Sequence, residues 1–198
     1  MQEWLDRLER WLGAGRPSFL RALNACADEN QFAEVEALAG TSLPDSFKAL
    51  YIWHDGQSED SFDALQFNRT FMCLDEILDA MEGLNELDEA GKLSSPMWWR
   101  KKWVPFLDNG GGDHLCLDLE GSFDGKPGQL IEFWHDDAER TIVAGSLEEW
   151  FRTFVISLEA NLWEDEDGDL QPVDEDDLED FMASHLSGYP IERSADAK

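Results

Sequence analysis

Three pairs of adjacent histidine and aspartate residues are the first candidates for chemistry in this sequence: His54-Asp55, Asp113-His114 and His135-Asp136. An imidazole beside a carboxylate can bind a metal ion or transfer a proton near neutral pH. No two of these histidines have the short helical separation that places two metal ligands on one helix face. Each pair also lies at the edge of a predicted helix or strand, where Asp commonly forms turns. We therefore predict no catalytic residue and no metal site.

Two loops are similar to ligand-binding motifs but differ from them at the decisive positions. The run Asp165-Glu166-Asp167-Gly168-Asp169 has the carboxylates of a calcium loop, yet alignment on the glycine places Trp163 first and Asp174 where a bidentate glutamate is needed. The run Asn109-Gly110-Gly111-Gly112-Asp113 lies between predicted strands, whereas phosphate-binding loops precede a helix and usually carry a lysine. We predict an acidic run, a tight hairpin and no cofactor.

The nucleophilic residue types show no catalytic arrangement. Cys26, Cys73 and Cys116 are far apart, odd in number and without a CxxC pair, which argues against disulfides and against a thiolate zinc site. This cysteine usage favours a reducing, cytoplasmic location. No serine lies in a G-x-S-x-G turn. Carboxylates occur throughout the chain, so no single pair marks a site, and we predict that the protein is not an enzyme.

Negative charge is the strongest compositional feature. The 198 residues include 44 Asp and Glu against 15 Lys and Arg, a formal net charge of -29. Such a potential repels nucleic acid and anionic membranes and accelerates encounter with basic partners, although acidity can also serve solubility alone. The basic cluster Arg100-Lys101-Lys102, flanked by tryptophans, is predicted to be an internal counter-ion. The amphipathic segment Trp4–Leu12 lacks the basic face of a membrane anchor, and no segment approaches the ~18 apolar residues of a membrane span.

Apolar periodicity places these residues on helices followed by a sheet. Helices are predicted at Trp4–Leu12, Pro17–Ala27, Phe32–Leu38, Leu43–Tyr51 and Ile77–Leu84. Strands are predicted at Phe67–Leu74, Trp103–Leu107, Leu115–Leu119, Leu130–Trp134 and Thr141–Ala144. The capping box Ser146-Leu147-Glu148-Glu149 begins a last amphipathic helix, expected to lie across one face of the sheet. The fold predicted is α+β, with a mainly antiparallel sheet of about 4–6 strands and helices packed against it.

The last part of the chain differs in composition. Glu164 to Asp180 contains eleven acidic residues and no basic one, and like charges at this density oppose compaction. We predict a solvated linker there, then a short acidic helix near Leu178, Phe181 and Met182. The expected organisation is one domain over residues 1–162, including the N-terminal helices, and an acidic extension over residues 163–198.

Two blocks of sequence resemble the SUKH superfamily, in its branch named for the fungal Smi/Knr cell-wall assembly regulators. The first block contains Val35-Glu36-Ala37-Leu38, Leu43-Pro44-Asp45-Ser46-Phe47 and Trp53-His54-Asp55-Gly56-Gln57. The second contains Trp103-Val104-Pro105-Phe106, Gly111-Gly112-Asp113, Gly128-Gln129-Leu130-Ile131 and Ser146-Leu147-Glu148-Glu149-Trp150-Phe151. The resemblance implies an α+β domain, in agreement with the periodicity, and does not extend to the acidic segment after Trp163.

The same resemblance implies a non-catalytic, protein-binding domain. Many bacterial members look like immunity proteins that neutralise toxins deployed between competing cells, and fungal members act as interaction hubs in cell-wall regulation. We expect the first role, with a cognate protein toxin such as a basic nuclease as partner and with neither nucleic acid nor membrane, and keep a regulatory adaptor as the alternative. Polar loops on a rigid scaffold are the expected contact residues: Asp55, Gln57, Glu59, Asp60, Asp108, Asp113, His114, His135, Asp136 and Asp137.

Overall fold

Helices make up most of the first half of the chain. In the computed structural model, which describes residues 1–196, they are α1 (Gln2–Gly15), α2 (Pro17–Ala22), α3 (Glu29–Ala39), α4 (Asp45–Trp53) and α5 (Leu74–Glu89). Local chemistry sets their limits: Pro17 begins α2, and the Asp28 carboxylate caps α3 by accepting the amides of Asn30 and Gln31. Within the described range, none of the helices combines the length and the apolarity needed to cross a bilayer.

Five strands form an antiparallel sheet in sequence order: β1 (Thr70–Phe71), β2 (Trp103–Asp108), β3 (His114–Asp118), β4 (Gln129–Phe133) and β5 (Ile142–Ala144). This confirms the predicted α+β fold and the meander. The strand predicted at Phe67–Leu74 is mostly wrong, because Leu74 already begins α5. His114 pairs with Asp108 on one side and with Phe133 on the other, so the loop after β2 and the segment after β4 leave the sheet at the same end.

Both faces of the sheet are covered. Every residue of β3 is buried, which alternating side chains require only where both faces pack against other elements. On one face, Trp150 of α6 (Leu147–Glu159) lies against Phe106, with ring centroids 5.6 Å apart. On the other face, Trp99 packs against Phe133 with a centroid distance of 5.3 Å. The Ser146 half of the predicted capping box of α6 is present: the Ser146 hydroxyl accepts the backbone N–H of Glu149 at 3.2 Å.

The acidic segment is folded onto this body. Strands β6 (Trp163–Glu166) and β7 (Asp169–Pro172) form an antiparallel hairpin, and α7 (Glu175–His185) follows. Asp167 and Gly168 form the two-residue turn with φ angles of 54° and 99°. Positive φ at both positions is typical of a type I′ turn. Since Trp163, Leu170 and Leu178 are buried, the solvated linker predicted here is wrong, while the short acidic helix is confirmed. The predicted boundary between the domain and the acidic extension, at residues 162 and 163, stays a prediction. Residues 197–198 of the extension lie outside the described residues.

Residues after α7 extend along the free edge of β5. Ile142 and Ile191 exchange two backbone hydrogen bonds of 2.9 Å, and Ala195 donates to the Ala138 carbonyl at 2.7 Å. Between this segment, α6, α7 and the sheet lies a cavity of about 480 Å³ with largely apolar walls. The ion pair of Arg69 and Glu132 (2.9 Å) lies on its wall. The C-terminal segment therefore closes both the edge of the sheet and one side of this cavity.

Candidate partner-binding surface

The loop after β2 and the segment after β4 meet through Asp113 and His135. Oδ1 of Asp113 accepts the backbone N–H of His135 at 2.9 Å and lies 2.8 Å from His135 Nδ1. Oδ2 of Asp113 accepts a hydrogen bond from the side-chain Nδ2 of Asn109 at 2.8 Å. The hydrogen bond to Asp113 raises the pKa of His135. Burial tends to raise the pKa of Asp113, but the contacts with His135 and Asn109 lower it below its ordinary value. The two loops are thus joined by hydrogen bonds between Asp113 and His135.

His114 and Asp108 form a second, more buried pair beside the first. His114 Nδ1 lies 3.2 Å from Asp108 Oδ1, close enough for an ion pair but without the alignment of a hydrogen bond. Burial opposes ionisation of Asp108, yet His114 and the Gly110 amide keep its pKa below the ordinary value. A groove of about 310 Å³ opens beside this pair. It is lined by Thr70, Met72, Glu76, Asp79, Ala80, Asp108, Gly112 and His114.

Asp113, His135 and Asp136 lie close enough together to be considered as ligands of one metal ion. Ligand atoms of Asp113, His135 and Asp136 all lie within 4.8 Å of one another. Both oxygens of Asp113 already accept hydrogen bonds, and His135 Nδ1 is one of the bonded groups, so a cation would have to break the pair that joins the loops. His54 lies elsewhere, with Nδ1 against the Asn24 carbonyl. The arrangement fits an ion pair better than a metal centre.

Two predicted contact residues, Asp55 and Gln57, hold their own loop together. The Asp55 carboxylate accepts the Leu74 amide at 2.8 Å and the Gln31 side chain at 3.1 Å. Burial raises the pKa of Asp55. Gln57 is only 4% exposed and is bonded at both ends of its amide, to the carbonyls of Ser61 and Asp63 and to the N–H of Phe71, all at 2.9 Å. Neither side chain is presented to solvent as a free contact group.

The ten predicted contact residues therefore divide between two places. Asp108, Asp113, His114, His135, Asp136 and Asp137 lie together at one end of the sheet, which we call the sheet-end surface. His114 is buried there, whereas His135, Asp136 and Asp137 are exposed. Glu59 and Asp60 are exposed on a separate turn, Ser58–Asp63, which we call the Phe62 loop. Gln57 supports that loop through its side-chain amide, while Asp55 bonds to Gln31 and Leu74 instead.

Two residues that sequence reasoning missed define the Phe62 loop. Phe62 is 86% exposed, and its only sequence signal is an aromatic residue without apolar neighbours in an acidic turn. Arg16 is 3% exposed; its guanidinium donates to the Ala64 carbonyl at 2.7 Å, to the Gly168 carbonyl at 2.5 Å and to the Asp165 carboxylate. Arg16 thereby fastens the base of the Phe62 loop to the acidic hairpin, and no sequence pattern predicted this.

Arg100 is the residue of the basic cluster that pairs with an acidic side chain, while Lys101 is exposed. Trp98, Trp99 and Trp103 are buried, so their rings are not free to stack on nucleotide bases. Arg100 donates through Nε to the Glu120 carboxylate, and this contact raises the pKa of Arg100. The segment thus contributes apolar packing and an ion pair with an acidic neighbour.

The central part of this chain matches a known protein family. A model of the SMI1/KNR4 family (SUKH-1) matches residues 26–153. The chain belongs to this family. The part matched by the SMI1/KNR4 model contains the sheet, the sheet-end surface and the Phe62 loop, whereas Arg16 and the acidic hairpin lie outside it.

Two fungal members of the SMI1/KNR4 family are similar to this chain. Cell wall assembly regulator SMI1 of Saccharomyces cerevisiae is 21% identical over 201 residues, which cover 79% of this chain and 40% of the yeast protein. KNR4/SMI1 homolog 2 of Debaryomyces hansenii is 33% identical over 64 residues, which cover 32% of this chain and 11% of the relative. The matches span less than half the length of either relative.

Proposed function

We propose that this protein is a non-catalytic binding domain that neutralises a cognate protein toxin by docking on it. The observation that carries the proposal is a net charge of -29 on a member of the SMI1/KNR4 family, with carboxylates exposed on the sheet-end surface and on the Phe62 loop. A toxin that degrades nucleic acid needs a basic surface, toward which an acidic partner is steered quickly. Such a partner covers the surface that the nucleic acid would use.

The chemistry of the side chains supports binding over catalysis. Burial raises the pKa of Cys73 to about 11 and raises that of Cys116 further, so both thiols are poor nucleophiles at neutral pH. The carboxylates of Asp55 and Asp113 are engaged in hydrogen bonds that hold loops in place. The three cysteines are free thiols, which agrees with action in a reducing cytoplasm.

Co-expression tests the toxin proposal directly. The product of the gene adjacent to this one is expressed in a sensitive host with and without the present chain. We expect the neighbouring product to arrest growth alone and growth to be restored by co-expression. A double variant, Asp136→Asn with Asp137→Asn, removes two exposed charges of the sheet-end surface at nearly constant side-chain size and should protect less well. A harmless neighbour, or a toxic one against which this chain gives no protection, contradicts the proposal.

A regulatory adaptor is the second candidate, favoured by the alignment of 79% of this chain with Cell wall assembly regulator SMI1. In that case the partner is a resident protein of the cell. If the adjacent gene encodes no toxin, affinity purification of the tagged chain from its native source should then yield one stoichiometric complex with a cellular protein. Dependence of that complex on the same acidic surfaces distinguishes specific binding from retention by charge.

A further inference from the structure

The most exposed large apolar side chain of residues 1–196 is Phe62. It is 86% exposed, against 59% for Ile52 and 56% for Val173. A single exposed apolar residue is ordinary on a protein surface. Phe62 differs because the structure fixes the backbone on both of its sides.

A buried amide holds the turn that carries the ring. Nε2 of Gln57 donates to the carbonyls of Ser61 and Asp63, the two neighbours of Phe62, at 2.9 Å each. The Ser61 amide also donates to the Ser58 carbonyl at 2.8 Å. The position of Phe62 is therefore set before any partner arrives, which removes part of the entropy loss of binding.

The base of the loop is fixed independently by the acidic hairpin. The Ala64 amide donates to the Gly168 carbonyl at 2.9 Å, and the buried Arg16 guanidinium donates to the carbonyls of both residues. A Cβ atom on Gly168 would lie 2.6 Å from the Asp63 carboxylate, so the hairpin turn lies directly against the loop. The turn that carries the ring is thus acidic itself, through Glu59, Asp60 and Asp63, and it contacts a hairpin turn that carries Glu166 and Asp167.

We propose that Phe62 is the central anchor of a protein interface, inserting into an apolar pocket of a partner whose rim carries Lys and Arg. The inference rests on the proposed binding function and specifies its surface and the chemistry of its partner. Aromatic side chains dominate binding energy when a ring of polar contacts excludes water around them. Here the exposed ring lies on an acidic turn with a fixed backbone, and this charge is complementary to a basic rim. The acidic hairpin, which lies outside the matched family region, adds negative charge beside the turn.

A display library of genomic fragments from the source organism, selected with the intact chain as bait, tests this inference and identifies the partner in the same step. We expect the enriched fragments to be more basic than the library and to bind the Phe62→Ala variant at least about 30-fold more weakly, the factor that corresponds to a hot spot. Phe62→Trp keeps a large ring and should retain binding. Val173→Ala, which removes another exposed apolar side chain, is the matched control and should bind as the wild type does.

Three results overturn the inference: undiminished binding of Phe62→Ala, enriched fragments no more basic than the library, or no fragment enriched above an unrelated acidic bait. Because the ring is exposed, the melting temperature of Phe62→Ala should equal that of the wild type. The proposed function fails separately. If Phe62→Ala still protects cells against the toxic neighbour, the anchor is wrong and the toxin proposal stands; if Phe62-dependent fragments are found but no protection is seen, the anchor stands alone.

Discussion

Nδ1 of His135 lies 2.8 Å from Oδ1 of Asp113, and the same oxygen accepts the backbone N–H of His135. The contact raises the pKa of His135 and helps to lower that of Asp113. The contribution of His135 to stability is therefore complete below its ordinary pKa of 6.5 and is lost as pH rises through the raised value. That of Asp113 is complete above 3.8 and is lost as pH falls through the lowered value.

Replacing Asp113 by Asn should return the pKa of His135 toward its ordinary value, because the hydrogen bond to Asp113 is the largest cause of the shift. The chemical shift of the His135 ring protons, followed by NMR against pH, measures this change. Asp136→Asn is the control, since Asp136 contributes only the last of the three favourable effects, and its variant should lower the pKa less. An equal fall in both variants would show that the general acidity of the surface sets the pKa.

Gly56→Ala should destabilise the protein far more than Gly40→Ala. Both glycines have similar positive φ values, 66 and 69, so each variant loses about 1–2 kcal/mol for a left-handed alanine. A Cβ at position 56 would also lie 2.3 Å from the Cys73 nitrogen, while one at position 40 meets nothing within 4 Å. We expect an additional loss of at least ~2 kcal/mol for Gly56→Ala, or failure to fold. Urea denaturation of both variants checks this; equal losses would contradict the close approach.

Arg16→Met should lower the free energy of unfolding by about 2–3 kcal/mol, because the carbonyls of Ala64 and Gly168 lose a charged donor. Urea denaturation measures the change. Arg21→Met is the matched control: Arg21 is exposed, and its variant should remain within about 0.5 kcal/mol of the wild type. Hydrogen exchange should also become faster at the Ala64 amide in Arg16→Met. Unchanged exchange there would contradict the role of Arg16 at the base of the Phe62 loop.

The three thiols should react with Ellman's reagent in three separable phases. Cys26 is exposed and should react first. Cys73 should follow about 10- to 100-fold more slowly at pH 8, since burial raises its pKa to about 11. Cys116 is fully buried and should react only after unfolding. Cys26→Ser should remove the first phase alone; loss of a second phase in that variant would show that the thiols are coupled.

The order of the elements could be predicted because apolar residue types repeat along the sequence with the period of a helix or of a strand. Trp150, Phe151 and Phe154 recur at helical spacing behind the Ser146 cap, and the structure confirms the helix they predict. Leu115 and Leu117 alternate with Cys116 in β3, which the structure also confirms. The family resemblance, carried by one block in the helices before the sheet and one block through its strands and the start of α6, is confirmed by the match over residues 26–153.

The sequence analysis missed the hairpin after α6 because the density of negative charge favoured a solvated linker, although the sequence also contains a turn signal. Asp167-Gly168 is the dipeptide preferred in two-residue hairpin turns, with Trp163 and Leu170 on the two sides of it. Compaction of this run is helped by Arg16, whose guanidinium contacts the Asp165 carboxylate. Residue 16 lies too far away in sequence for any local pattern to include it.

The contact residues stay a prediction, and the structure shows only where their side chains lie. Glu59 and Asp60 are exposed, as a contact role requires, but Gln57 in the same run is buried. The polar character of a loop does not show which side chains bond to its own backbone. Phe62 was missed for the opposite reason, since an apolar residue in a loop is expected to turn inward and here it does not.

Arg16 contacts Asp165 and Gly168, which lie 149 and 152 residues further along the chain. Contacts between residues so distant in sequence slow folding. The base of the Phe62 loop therefore depends on a contact between segments that are distant in sequence, whereas the turn that carries the ring is held locally by Gln57.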